Sequence, residues 1–257
     1  MSGFSPVEEA NPDGAAPVLI VCDHAANTVP PCVGGGTLGL PEAEMARHIA
    51  YDVGARGVAL ELARLLDAPA LLSTFSRLVI DPNRGADDPT LVMKLYDGTI
   101  IPGNRHVDAA EIDRRRAAFY DPYHDAITAR LNAMIADGVT PSLVSIHSFT
   151  PQLRGKPPRP WHVGVLWDRD GRIAEPLIAR LSAEPDICVG DNEPYTGELQ
   201  GDCMYTHGTV RGLPHVLIEL RHDLIRDAEG QARWAARLAG PLAGILPGPQ
   251  REEKRYG

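Results

Sequence analysis

Two short apolar runs, VLIVC at 18–22 and LVSI at 143–146, lead into histidines, His24 and His147, and a third, VLIEL at 216–220, carries Glu219. In open α/β sheets, ligands gather at the carboxyl ends of the strands, so side chains from three such runs can meet there. Two neutral imidazoles from different strands, completed by a carboxylate, form a three-ligand zinc site with a fourth position open to water. A separate glutamate then serves as general base to that water. Each residue alone has an ordinary reading, a hydrogen-bonded histidine at a strand end or a salt-bridged glutamate in a core. Their combination is what points to hydrolysis.

The third ligand has two candidates. His24-Ala-Ala-Asn27 has the spacing of an HxxE zinc motif, but an amide stands where the carboxylate belongs, and an amide oxygen is a poor zinc ligand, so Asn27 is counted with the substrate-binding residues. Asp52, in the apolar context HIAYDVG, is the preferred substitute. Asp81-Pro-Asn83-Arg84 follows the run Leu78–Ile80 and offers a guanidinium fork with an amide beside it, a pairing suited to a carboxylate. Arg77, just before that run, is a second cation, and Arg154 and Arg221 are further ones for a second carboxylate. Tyr195, in the turn-rich segment DNEPYTG, is placed to close over a substrate, and His207 to hydrogen-bond it. His124, near Tyr120 and Tyr123, reads as structural. Neither Ser148 nor Cys22 sits in a nucleophile elbow.

These side chains need a sheet with helices to position them. VLIVC, LVSI, VGVL at 163–166 and VLIEL have the pattern of strands covered on both faces. Residues 70–73 and 78–80 suggest one or two more strands. Spacings of three and four, with Pro41 in the first turn and Glu42 and Glu44 at the dipole's positive end, predict a helix over 41–66, with Asp52 in it and Gly54 and Gly57 as weak points. Asp108 and Glu111 form a capping box for a helix to about residue 136, which Pro122 should kink or divide. Residues 173–181 read as another helix. Strands alternating with helices predict a three-layer α/β/α domain with a mostly parallel mixed sheet. A single domain spans 1–257, with an ordered core at about 17–245 between loosely held tails.

The composition excludes several partners. Asp and Glu number 34 against 25 Lys and Arg, giving a net charge of −9, and only scattered arginines are present, so no nucleic-acid stripe exists. Four cysteines without a CxxC pair argue against a disulfide scaffold or zinc knot. No apolar stretch approaches the ~20 residues of a membrane span. The expectation is a soluble cytoplasmic protein whose partner is small and anionic.

The motifs VLIVCDHAANTVP, SRLVIDPNR, YDPYHDAI, LVSIHSFTP, DNEPYTGEL and HGTVRGLPHVLIELRHDLI together resemble the N-formylglutamate amidohydrolase family, over roughly residues 18 to 225. That family is similar in fold to the zinc carboxypeptidases and to the aspartoacylase and succinylglutamate desuccinylase enzymes. The resemblance implies a zinc carboxypeptidase-like (phosphorylase/hydrolase-like) fold with one Zn2+ per chain. It also implies metal-binding roles for His24 and His147, a general-base role for Glu219, and substrate-carboxylate binding by Asn83 and Arg84. The HxxE departure at Asn27 leaves Asp52 as an inference from this chain. The implied reaction converts N-formyl-L-glutamate to formate and L-glutamate, within amino-acid degradation. Two alternatives stay open: a zinc carboxypeptidase or amidase acting on peptides or other N-acyl amino acids, and a non-catalytic small-ligand-binding protein.

Overall fold

The apolar runs lie side by side at the centre of one sheet. The computed structural model describes residues 3–246. In chain order it contains β1 (Val7–Ala10), β2 (Val18–Cys22), the one-turn helix α1 (Glu42–Met45) and α2 (Ala55–Leu66). Next come β3 (Ala70–Ser73), a small hairpin of β4 (Leu95–Tyr96) and β5 (Thr99–Ile100), then α3 (Ala109–Arg115), α4 (Asp121–Ala136) and β6 (Ser142–Phe149). β7 (Val163–Leu166), α5 (Gly171–Ser182), β8 (Val189–Asp191), β9 (His215–Arg221) and α6 (Ala228–Ala243) follow.

The seven-stranded sheet has the order β1-β3-β2-β6-β9-β7-β8. β3, β2, β6 and β9 are mutually parallel; β1 joins antiparallel at one edge, and β7, paired in parallel with β8, runs antiparallel to β9. Alternate residues of the central strands face two different cores, as the pleat requires. Ile20, Val144, Ile146, Val216 and Ile218 pack with α2, α5 and α6, whereas Leu19, Val21, Leu143 and Leu217 pack against Tyr123, Ile127 and Leu131 of α4. His147 and Glu219 continue the α4-facing phase and are register partners across β6 and β9. A third cluster, around Leu38, Phe75, Leu78, Ile80 and Phe119, lies under the long loops. The mixed, mostly parallel sheet between helical layers agrees with the sequence-read fold.

Several elements differ from expectation. Leu78–Ile80 is buried like a strand but is not one: the Ser76 backbone carbonyl accepts from the Val79 N–H at 2.9 Å and Ser76 Oγ accepts from the Leu78 N–H at 3.2 Å, so the run is a turn packed in the loop cluster. The helix expected over 41–66 is interrupted between α1 and α2. Gly54, at φ 82° and with Ile225 O where a Cβ would stand, starts α2 afresh. The break frees Asp52, whose N–H donates to His24 O at 2.9 Å. The helix expected over 109–136 is divided as Pro122 requires: a π-helical turn at Arg116–Tyr120 joins α3 to α4, and the proline sits in the first turn of α4. Residues 7–10, expected in a loose tail, form edge strand β1, whose sequence VEEA is half-exposed and lacks an apolar signature. β8, the β4–β5 hairpin and α6 had no counterpart in the sequence reading. The expected tail at 248–257 lies outside the described residues. Among the described residues, no helix is long and apolar enough to cross a membrane.

Candidate metal and catalytic site

Past the carboxyl end of β2, His24 meets Asp52 from the α1–α2 break and His147 from β6. One ligand atom from each lies within 4.8 Å of the others, and all three residues are buried. Asp52 Oδ2 accepts from His147 Nδ1 at 2.7 Å and from the Ser148 N–H at 3.1 Å, and stands 3.4 Å from His24 Nδ1. His24 Nδ1 has no hydrogen-bond partner although it is buried.

The far nitrogen of each imidazole rests on a different carboxylate. His24 Nε2 donates to Asp81 Oδ1 at 2.7 Å, and His147 Nε2 donates to Asp23 Oδ2 at 2.8 Å. Both carboxylates are themselves held. Asp81 accepts from Arg77 Nε and Nη2 at 3.0 and 2.7 Å and from the Asn83 N–H at 2.9 Å, and Asp23 accepts from Tyr123 Oη at 3.0 Å and Ser145 Oγ at 2.9 Å. Although burial alone would raise their pKa values, neighbouring His147 holds Asp23 well below the usual carboxylate range, and Arg77 with His24 does so for Asp81. Burial alone would likewise lower the pKa of His147, but its hydrogen bonds to Asp23 and Asp52 push it well up.

This donor set fits a divalent cation. Carboxylates that orient each ligating imidazole through its other nitrogen are the usual outer support of a zinc site. Three buried aspartates and Glu219 surround two imidazoles and one guanidinium, so the field favours added positive charge. The buried His24 Nδ1, 3.4 Å from Asp52 and without a hydrogen bond, is available as a ligand atom. Asp23→Asn and Asp81→Asn are each expected to weaken zinc binding by about 10–100-fold, measured by chelator competition; unchanged affinity would show that these carboxylates do not support the ligands.

Glu219, 7% exposed, leaves Oε2 buried without a partner, and burial, with Asp52 adding to it, pushes its carboxyl up to about 7. It lines a cavity of about 260 Å³ together with His24, Asp52 and His147. Asn83 and Arg84 line it too. Asn83 Oδ1 accepts from the Cys203 N–H at 3.1 Å, which leaves its amide NH2 for a ligand, and Arg84 Nη1 donates to Asn83 O at 2.8 Å, which orients the guanidinium. Arg77 reaches the cavity, but its guanidinium is committed to Asp81 and stands 3.5 Å from Asp52. Tyr195 also lines the cavity, its hydroxyl accepting from Arg159 at 3.0 Å and its ring under that guanidinium at 4.8 Å.

Four expected residues are not among those lining the cavity. Asn27 is exposed and donates to Met45 O at 2.9 Å, away from the ligand cluster. His207 is buried in a stack with His124, their nitrogens 2.8 Å apart. Arg221 pairs with Asp223 at 2.8 Å and reaches toward the carbonyls of residues 159–161. Arg154 lines a neighbouring groove. Sequence reasoning missed Asp23, Asp81 and Asp202. Asp23 and Asp81 each directly follow a fully buried run, a position where an acid needs a partner, and that is the signal that could have found them. Asp202, 4% exposed, faces the cavity; burial and the Asp23 carboxylate push it up to about 7.

Residues 16–226 match the family described as N-formylglutamate amidohydrolase. An N-formylglutamate deformylase from Pseudomonas aeruginosa is 26% identical over 249 residues, covering 91% of each chain. A crystal structure of an Agrobacterium tumefaciens gene product is similar with TM-score 0.89 and 34% identity, over 94% of this chain and 95% of that one. An N-formylglutamate amidohydrolase from Ralstonia eutropha is similar with TM-score 0.71 and 26% identity, over 94% and 97%. With the family model matched over most of the chain and a buried His-Asp-His cluster at the ends of its central strands, the chain belongs to the N-formylglutamate amidohydrolase family of hydrolases.

Proposed function

We propose that this protein is a cytoplasmic, zinc-dependent amidohydrolase that converts N-formyl-L-glutamate to formate and L-glutamate in amino-acid breakdown. The observation that carries this reading is the convergence of His24, Asp52 and His147, within 4.8 Å, on a cavity that also holds the partnerless Glu219 carboxyl and the Asn83–Arg84 pair. The names of the Pseudomonas and Ralstonia relatives support the choice of substrate. So does size. At about 260 Å³ the cavity falls just under the roughly 300–1,000 Å³ usual for ligand sites, which favours an N-acyl amino acid over a peptide.

His24 Nδ1, His147 Nδ1 and Asp52 would hold the ion. When bound, zinc supplies Lewis acidity, polarising the amide carbonyl and acidifying water. Arg84 and the Asn83 amide bind a substrate carboxylate, fixing the formyl group beside Glu219. The Glu219 carboxylate takes a proton from water as the water oxygen bonds to the formyl carbon. The C–N bond then breaks, and Glu219 returns that proton to the leaving amine. The water oxygen leaves in formic acid, which gives up its remaining proton to become formate, and glutamate leaves with its amino group restored. Asp81 and Asp23 keep the imidazoles oriented throughout, and Tyr195 covers the cavity.

The test is release of amine from a panel of N-acyl amino acids and short peptides, with Arg84→Ala alongside. N-formyl-L-glutamate should be the best substrate, and Arg84→Ala should raise KM by at least ~10-fold, the worth of a charge-assisted hydrogen bond, with a smaller effect on kcat. Preferential cleavage of peptides would refute the substrate assignment.

A further inference from the structure

A second concavity of about 730 Å³ adjoins the catalytic cavity, and His48 and Thr150 line both. Its charged lining is dominated by cations. Arg47 is neutralised by Glu44 and Asp97, but Arg154 and Arg226 are exposed and make no ion pair among the described residues. His222 is 6% exposed, and its Nδ1 is buried without a hydrogen-bond partner. The His48 ring lies roughly parallel to that of His222, 6.4 Å away, and its Nε2 also lacks a hydrogen bond, with Asp97 3.5 Å off. Between the charges the walls are apolar, from Val53, Pro151 and Leu153. In a chain of net charge −9, the two unneutralised arginines form a local positive region, beside two partnerless imidazoles that burial disposes to stay neutral.

We propose that this groove is a second anion site, which takes a small dicarboxylate on its way into or out of the catalytic cavity. Guanidinium groups favour carboxylates through paired hydrogen bonds, and the apolar walls suit the methylene chain between two carboxylates better than a compact phosphate. The identity of the ligand rests on the amidohydrolase reading; the existence of the site rests on the groove alone. A protein of this charge repels anions on average, so a cationic forecourt raises the local concentration of substrate where it is needed.

The experiment is equilibrium dialysis of the full-length, zinc-loaded protein against labelled glutarate, with inorganic phosphate as competitor. The wild type should bind two glutarates per chain. Arg154→Ala/Arg226→Ala should bind one, and Arg84→Ala, altered in the other cavity, should also bind one. Equal glutarate stoichiometry in the wild type and the Arg154/Arg226 variant would overturn the proposal, and so would displacement of groove-bound glutarate by equimolar phosphate. A protein that is not an amidohydrolase would look different: no hydrolysis of any N-acyl amino acid, with one glutarate still lost on Arg154→Ala/Arg226→Ala. At low ionic strength the double variant should also lose about 3–10-fold in kcat/KM for N-formylglutamate, and the loss should shrink as salt screens the field.

Discussion

Glu219→Gln should lower kcat by about 10²–10⁴-fold, the usual worth of a positioned general base, while zinc binding is retained. The amide keeps the shape of the side chain and removes its ability to take a proton. Because the carboxylate is the working form, the wild-type rate should rise with pH as Glu219 ionises. A cation bound beside it favours that form, so the midpoint should lie below the value of about 7 that the surroundings of the carboxyl set. The residual rate of the variant should lack this limb. The same substitution has an opposite effect on stability, with a definite sign. A carboxyl whose folded pKa exceeds its unfolded value favours folding less as pH rises between the two, since the unfolded chain ionises it freely and the buried site does not. Glutamine mimics the protonated form. In chelator-treated protein, Glu219→Gln should therefore raise Tm at pH 8, raise it less at pH 5, and leave it nearly unchanged below the unfolded pKa of about 4.5. Equal Tm values at pH 8, together with full activity, would remove Glu219 from the site.

The second large effect is loss of metal. His147→Ala should abolish stoichiometric zinc binding and, with it, nearly all turnover, because it removes one of the three proposed ligands and leaves Asp23 and Asp52 facing each other without the imidazole between them. Two buried like charges that have lost their shared partner destabilise the fold, typically by about 3–5 kcal/mol, so the variant should also melt earlier. Asp52→Asn separates the two consequences: the amide can still accept from the Ser148 N–H and keep the backbone in place, but it binds zinc poorly. Zinc content measured on folded Asp52→Asn should fall well below one per chain. Full zinc occupancy there would reject Asp52 as a ligand.

The strands that carry the chemistry were legible because their burial is complete. VLIVC, LVSI and VLIEL have no exposed face, and their β-branched runs mark central parallel strands whatever surrounds them. A glutamate in the third run was legible for the same reason: in register with His147, it faces the α4 side, where the sheet opens into the cavity. Burial without strand geometry was misleading at Leu78–Ile80, since periodicity reports only that a run is inside. The helix over 41–66 was overread because a spacing of three and four persists across the break, and only the tertiary contact of Gly54 with Ile225 reveals why the chain turns. That break matters most for the proposed function, because it lets Asp52 leave a helix surface and meet His24 and His147. Arg221 and Arg154 could be read only as charge: whether a guanidinium reaches a cavity or pairs with a neighbouring acid depends on contacts distant in sequence. Asp23 and Asp81 hide for a related reason, since their roles exist only once two strands and two loops bring His24 and His147 against them.

In the proposed mechanism, one zinc ion held by His24, Asp52 and His147 turns this cavity into an N-formylglutamate hydrolase. This is tested most directly by stripping the protein with chelator and titrating zinc back while formate release from N-formyl-L-glutamate is followed. Activity should be negligible in the stripped protein, rise linearly, and saturate at one zinc per chain, with formate and glutamate released in equal amounts. Full activity in the stripped protein, or no formate at any zinc level, would rule out a zinc-dependent N-formylglutamate hydrolase.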